Sequence, residues 1–190
     1  MFWLTGDEAA DDLLADDDNA LLVGMCLDQQ IPMEKAFAGP AVIAERMGGR
    51  FDVAAIAAMP EEDFVALCAQ RPAVHRFPGS MGARVHQLCS VLVDEYDGSA
   101  SHLWRDGDGA TVLRRLKALP GFGDQKARIF LAVLGKRRKL PLQGWQAAAG
   151  DYADDQYRSV ADIDGPESLL RVRETKKAAK AAARAAKELA

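Results

Sequence analysis

Residues 119–123, Leu119-Pro120-Gly121-Phe122-Gly123, constrain the fold more than any other stretch of this chain. A proline followed by two glycines one residue apart makes a tight turn. Glycine reaches backbone conformations closed to other residues and lets a neighbouring backbone come close. Residues 110–118 before the turn repeat apolar positions at helical spacing. After it, Ala127, Phe130, Leu131 and Leu134 fall at i, i+3, i+4 and i+7. The local reading is helix, hairpin, helix, and the second helix begins with N–H groups that suit an anion.

Charge indicates which anion. Between 114 and 139, Arg114, Arg115, Lys117, Lys126, Arg128, Lys136, Arg137, Arg138 and Lys139 stand against Asp124 alone, in a chain of formal net charge −4. A local basic patch around backbone donors fits the phosphate backbone of a nucleic acid. A glycine-rich turn beside a solvated charge run is the plainer reading of the same residues.

No stretch alternates apolar and polar residues as a half-buried strand does. With 49% hydrophobic residues, many of them alanine, the expected class is all-α. An acidic amphipathic segment covers 7–18, and a helix over 20–30 is expected behind a cap at Asp18 or Asn19. The next helix, 33–47, starts behind Pro32, bends at Gly39-Pro40 and stops at Gly48-Gly49. Short helices are expected at 53–58 and 61–69 and a loop over 71–82. A long helix over 80–96 follows, with Val85, Leu88, Cys89 and Leu92 inward and Asp97-Gly98 as its stop. Residues 139–145 read as an extended crossing.

The main domain is expected over 1–165. Residues 166–190 read as an alanine-rich basic helix with Arg171, Arg173, Lys176, Lys177, Lys180, Arg184 and Lys187. Such a tail is either a solvated, frayed helix or an arm that tracks DNA.

No apolar run is long enough to cross a membrane, and the first residues lack the basic start and apolar core of a signal peptide, so a cytoplasmic protein is expected. Cys26, Cys68 and Cys89 are too scattered for a zinc or iron–sulfur site and read as buried thiols. His75, His86 and His102 are equally dispersed, and no metal site is read from them.

Three stretches occur in a telling order: Leu27-Asp28-Gln29-Gln30, then Phe77-Pro78-Gly79-Ser80-Met81-Gly82-Ala83-Arg84, then 119–127. In that order, over roughly residues 20–150, the chain resembles the helix-hairpin-helix (HhH-GPD) DNA glycosylases of base excision repair. The resemblance implies a two-lobed all-α fold and a monomer on double-stranded DNA. It implies that Gly121, Phe122 and Gly123 hold a backbone phosphate, with Lys126 beside them. Leu119 and Gly121 would offer carbonyls to a monovalent cation, Na+ or K+. Gln30 would fill the space left by an extruded nucleotide. Ser80 and Met81, within 77–82, would wedge the opposite strand.

Two positions depart from the family pattern. The lysine of the strand-cleaving members falls at Gln125, with Lys126 turned about 100° away on the helix, so no β-lyase step is implied. The catalytic aspartate falls at Gln143, which carries no full negative charge. The nearest downstream carboxylates are Asp151, Asp154 and Asp155. Asp151, which can begin the next helix, is one candidate for the slot and Asp28, beside Gln30, is the second, each readable also as a helix cap or surface acid. Trp145, Tyr152 and Phe122 are aromatic candidates for the pocket rim or simply core. A monofunctional glycosylase and a non-catalytic binder of damaged or bent DNA both fit, and a carboxylate facing Gln30 separates them.

Overall fold

The structure, a computed structural model, describes residues 2–188, the side chains of 187 and 188 excepted. The Lys187 side chain and residues 189–190 of the basic tail therefore lie outside the described residues. Among the described residues every regular element is helical: α1 Glu8–Asp16, α2 Asp18–Leu27, α3 Met33–Arg46, α4 Val53–Ala58, α5 Glu61–Ala69, α6 Pro78–Tyr96, α7 Gly109–Ala118, α8 Asp124–Lys136, α9 Trp145–Ala149 and α10 Pro166–Glu188. Short 3₁₀ turns lie at Ala100–Leu103, Gly150–Ala153 and Val160–Asp162. No helix among the described residues is long and apolar enough to cross a membrane.

Aspartates open several of these helices. Asp7, Asp17, Asp52 and Asp108 each accept a backbone N–H of the first turn with the side chain, satisfying donors that have no partner inside the helix. The cap of α2 is Asp17, one residue before the expected Asp18 or Asn19. Its carboxylate takes the Asn19 and Ala20 amides at 2.8 and 3.0 Å. Glycines at positive φ, Gly48 and Gly49, end α3, and Asp97 with Gly98 ends α6 in the left-handed region.

Two helices form the centre. Ala20 to Leu27 of α2 are buried on every side, as an apolar helix without a polar face must be. In α8 the expected stripe of Ala127, Phe130, Leu131 and Leu134 is fully buried, joined by Ala132 and Val133. Helices α1, α3 and α6 pack around α2, and α7, α9 and the Val160–Asp162 turn pack around α8. Val85, Leu88, Cys89 and Leu92 all face inward from α6, as their spacing requires. Asn19 ties the start of α2 to the segment after α6 through the Gly98 carbonyl and the Ala100 amide, at 2.9 and 2.7 Å.

Two expected boundaries shift. α2 stops at Leu27 rather than at residue 30, because Ile31 precedes Pro32 and a residue before proline is pushed away from helical angles. α6 starts at Pro78, so residues 78–82 of the expected loop 71–82 are already helix. Proline at the first position gives up an N–H that the helix does not use.

Candidate nucleic-acid interface and cleft

α7 and α8 are joined by the hairpin 119–123. The Phe122 amide donates to the Leu119 carbonyl at 3.1 Å, and Gly121 takes φ +81°. A Cβ on Gly121 would stand 2.5 Å from Arg84 Cδ and 3.4 Å from Cys26 Sγ, so the missing side chain admits Arg84. Gly123 has an ordinary φ of −72° and caps α8 without any side-chain hydrogen bond, and a Cβ there would meet nothing within 4 Å. The first N–H groups of α8 are thus left to an external acceptor. The Leu119 carbonyl keeps one lone pair beyond its turn bond, and the Gly121 carbonyl accepts no bond among the described residues.

Phe122 contributes backbone only. Its ring is 3% exposed and meets Phe130 edge-on at 6.0 Å, because the hairpin must be anchored to the core to hold its shape. Lys126 also turns inward. Its Nζ donates to the Cys26 carbonyl at 2.8 Å, placing a cation at the C-terminal end of α2, and burial lowers its pKa. Lys126 is therefore a clamp between the two central helices rather than an outward phosphate contact.

The basic run counted from the sequence divides in space. Lys117 and Arg128 both hold Asp124, at 2.7 and 2.8 Å, and hold its carboxyl below the usual range. At the other end of α8, Lys136 pairs with the buried Asp162 at 2.5 Å and Arg138 with Asp18 at 2.6 Å, while Arg137 lies over the Phe2 ring. Those residues fasten α8 to the segments around it, so the charge density at the hairpin is lower than the linear count implies.

The tip 28–30 stands beside the hairpin. Gln30 is exposed and held at φ +59°, a region that non-glycine residues rarely occupy and that concentrates at functional sites. Gln29 accepts from Arg84 at its side-chain Oε1, 3.1 Å away, and at its backbone carbonyl from His75 Nε2, at 2.9 Å. The other ring nitrogen of His75 accepts the Phe77 amide at 3.0 Å, which fixes the neutral Nε2–H tautomer. His75 thereby joins the tip 28–30 to the segment that begins at Phe77. Phe77 is 44% exposed there and Ser80 is exposed, whereas Met81 is buried against the core and only neighbours Arg84. Met81 is therefore not a surface contact.

His75 and Gln30 carry two expected outcomes. Burial lowers the His75 pKa, so its folded-state value lies below the unfolded one of about 6.5. Its contribution to stability is present above that pH and is lost as pH falls through the folded value. Melting temperatures from pH 7.5 to 5 should show wild type above His75→Gln, with the gap narrowing on acidification. Gln30→Gly relieves the left-handed backbone, and folding stability in urea should rise by about 0.5–1 kcal/mol.

Asp28 caps α2 at the root of the tip. Its carboxylate is half-buried and accepts no hydrogen bond among the described residues. Burial raises its pKa and the nearby Glu34 adds to this, while Lys176 and Lys126 act in the opposite sense. Glu34 in turn binds Arg173 of α10 at 2.6 Å and leaves its Oε2 buried without a partner. Next to this cluster is a cavity of about 390 Å³, lined by Gln125, Asp151, Tyr152, Thr175 and Lys176 among others. The chain returns along α8 to bring Asp151, exposed, to the lip beside Gln125, whose Nε2 donates to the Tyr152 hydroxyl at 2.9 Å.

Gln143 lies elsewhere. Its carbonyl takes the Gly109 amide at 2.8 Å, at the end of α7 away from the hairpin. The ten residues of α7 separate the two ends by about 15 Å. Trp145 shares that far end, against Gly109 and Gly135. Asp28, Asp151, Gln125, Gln30 and the hairpin are thus gathered on one side, and Gln143 is not among them.

Compared with models of known families, with curated proteins and with solved structures, the chain finds no match. The functional reading therefore rests on this chain's own residues and their geometry.

Sequence reasoning assigned no role to His75, Arg84 or Glu34, and it placed Arg173 in the basic tail without its partner Glu34. Arg84 had one signal, its place at the end of the quoted Phe77–Arg84 stretch. The other three join segments far apart in the chain and leave no local pattern.

Proposed function

We propose that the protein is a two-lobed helix-hairpin-helix DNA N-glycosylase, working as a monomer on double-stranded DNA. It hydrolyses the bond between a damaged base and its sugar without a lysine-mediated strand-cleavage step. The observation that carries this is Asp28, a desolvated carboxylate two residues before the exposed Gln30 and beside the hairpin and cavity.

In this reading the amides at the start of α8 hold a phosphate next to the damaged nucleotide, and Gln30 enters the space that the extruded nucleotide leaves. The C1′–N bond breaks, the base departs with the electron pair, and positive charge develops on the sugar. Asp28 stabilises that charge from a half-buried site where water screens it less than in bulk. Water then bonds to C1′ and releases its proton, with Asp151 at the cavity lip positioned to accept it. Gln125 has no nucleophilic amine, and the Lys126 amine is held on the Cys26 carbonyl, which supports the absence of a Schiff-base step from α8.

The second reading, a non-catalytic binder of damaged DNA, is favoured by the sequence position that matches the family aspartate, which is the uncharged Gln143 and lies away from the cleft. Single-turnover incubation with duplexes carrying a panel of damaged bases separates the two. Abasic sites on at least one duplex support the glycosylase. Tight duplex binding with release from none supports the binder.

A further inference from the structure

α10 runs out from the body past the cavity and the Asp28–Glu34 cluster. Its inward side begins apolar, with Leu169 and Val172 buried. From Arg173 onward that same side turns basic. Arg173, Lys176, Lys177, Lys180 and Arg184 follow at i, i+3, i+4, i+7 and i+11, which at 100° per residue is one arc of about 100°. Every other position from 178 to 186 is alanine, and no carboxylate occurs between Glu174 and Glu188.

A helix face built merely to stay solvated interleaves acids with bases four residues apart. Here Arg173 with Lys177, Lys176 with Lys180 and Lys180 with Arg184 stand at that spacing as like charges, and the one acid in register with the stripe is Glu188, four residues after Arg184. Such a stripe is unfavourable alone and becomes favourable against a polyanion. Its first members already meet charge: Arg173 sits on Glu34, and Lys176 lines the cavity and faces Asp28. The stripe therefore starts at the cleft and leads away from it. From Arg173 to Arg184 it extends about 16 Å, near the length of five base steps at about 3.4 Å each. The alanine side has no large apolar residue to bury in a bilayer, which argues against a lipid surface.

We infer that this basic stripe of α10 is a second phosphate-binding track, holding the DNA backbone on the far side of the cleft from the hairpin. The inference rests on the glycosylase reading for the path of the duplex. Lys177 and Lys180 are exposed, and alanine at both keeps the helix, since it is the strongest helix former.

The test is duplex affinity of the full chain over a range of KCl, for wild type, Lys177→Ala/Lys180→Ala and, as a control at the far end of α8, Lys139→Ala. The probe is a duplex carrying an uncleavable abasic analogue, and phosphatidylserine vesicles serve as a second ligand. Two lost phosphate contacts should reduce the slope of log affinity against log salt by about 1.8, with the control unchanged. A salt-dependent wild type whose double variant keeps the same slope overturns the track and leaves the glycosylase reading intact. A wild type that binds vesicles and no duplex overturns both.

Discussion

Asp28→Asn is expected to slow single-turnover base release by about 10²–10³ while duplex affinity stays within about twofold. Asparagine keeps the shape of the side chain and removes only its charge. Lys126 remains on the Cys26 carbonyl and the hairpin is untouched, so binding persists. The charge matters because the site is partly desolvated, and water cannot replace the carboxylate next to a cationic sugar. The same burial has an opposite effect on folding. An ionised Asp28 with a raised pKa is less favourable in the folded chain than in the unfolded one, so the asparagine variant should melt at a higher temperature near neutral pH. Higher stability with lost activity is the signature of a strained functional group. In wild type the rate should fall on acidification at a pH above the usual aspartate range, since only the ionised form acts. Asp151→Asn, at an exposed lip, should cost less. An Asp28→Asn enzyme with the wild-type rate would sink the proposal.

The hairpin and the central helices were legible because each is written in adjacent residues. Gly-x-Gly after proline specifies a turn whatever surrounds it, and the spacing of Phe130, Leu131 and Leu134 specifies one buried face. Charge was misleading for a physical reason. Lys136 and Arg138 lie in the same run as Lys139, yet they pair with Asp162 and Asp18, partners 26 and 120 residues away in sequence. Net charge along the chain does not register pairing of that range. The end of α2 also escaped, because Asp28-Gln29-Gln30 holds no glycine or proline to mark a stop, while the backbone leaves the helix after Leu27, ahead of Pro32. That early exit is what exposes Gln30 and leaves Asp28 at the root of the tip.

Gly121→Ala and Gly123→Ala should behave as opposites, although both remove a glycine from one hairpin. At Gly121 the backbone is left-handed, and the new methyl would press on Arg84, which holds Gln29 Oε1 at 3.1 Å. Backbone strain and crowding together should lower stability by about 2–3 kcal/mol, read as a shift in the urea midpoint. At Gly123 the backbone is ordinary and the space around it is open, so the midpoint should hold within about 0.5 kcal/mol. Its methyl would instead stand where a phosphate must approach the first amides of α8, and duplex affinity should fall about tenfold, equivalent to about 1.4 kcal/mol. The contrast separates folding from binding within three residues. If Gly123→Ala binds duplex as tightly as wild type, the phosphate does not sit on this hairpin, and the glycine there serves the turn alone.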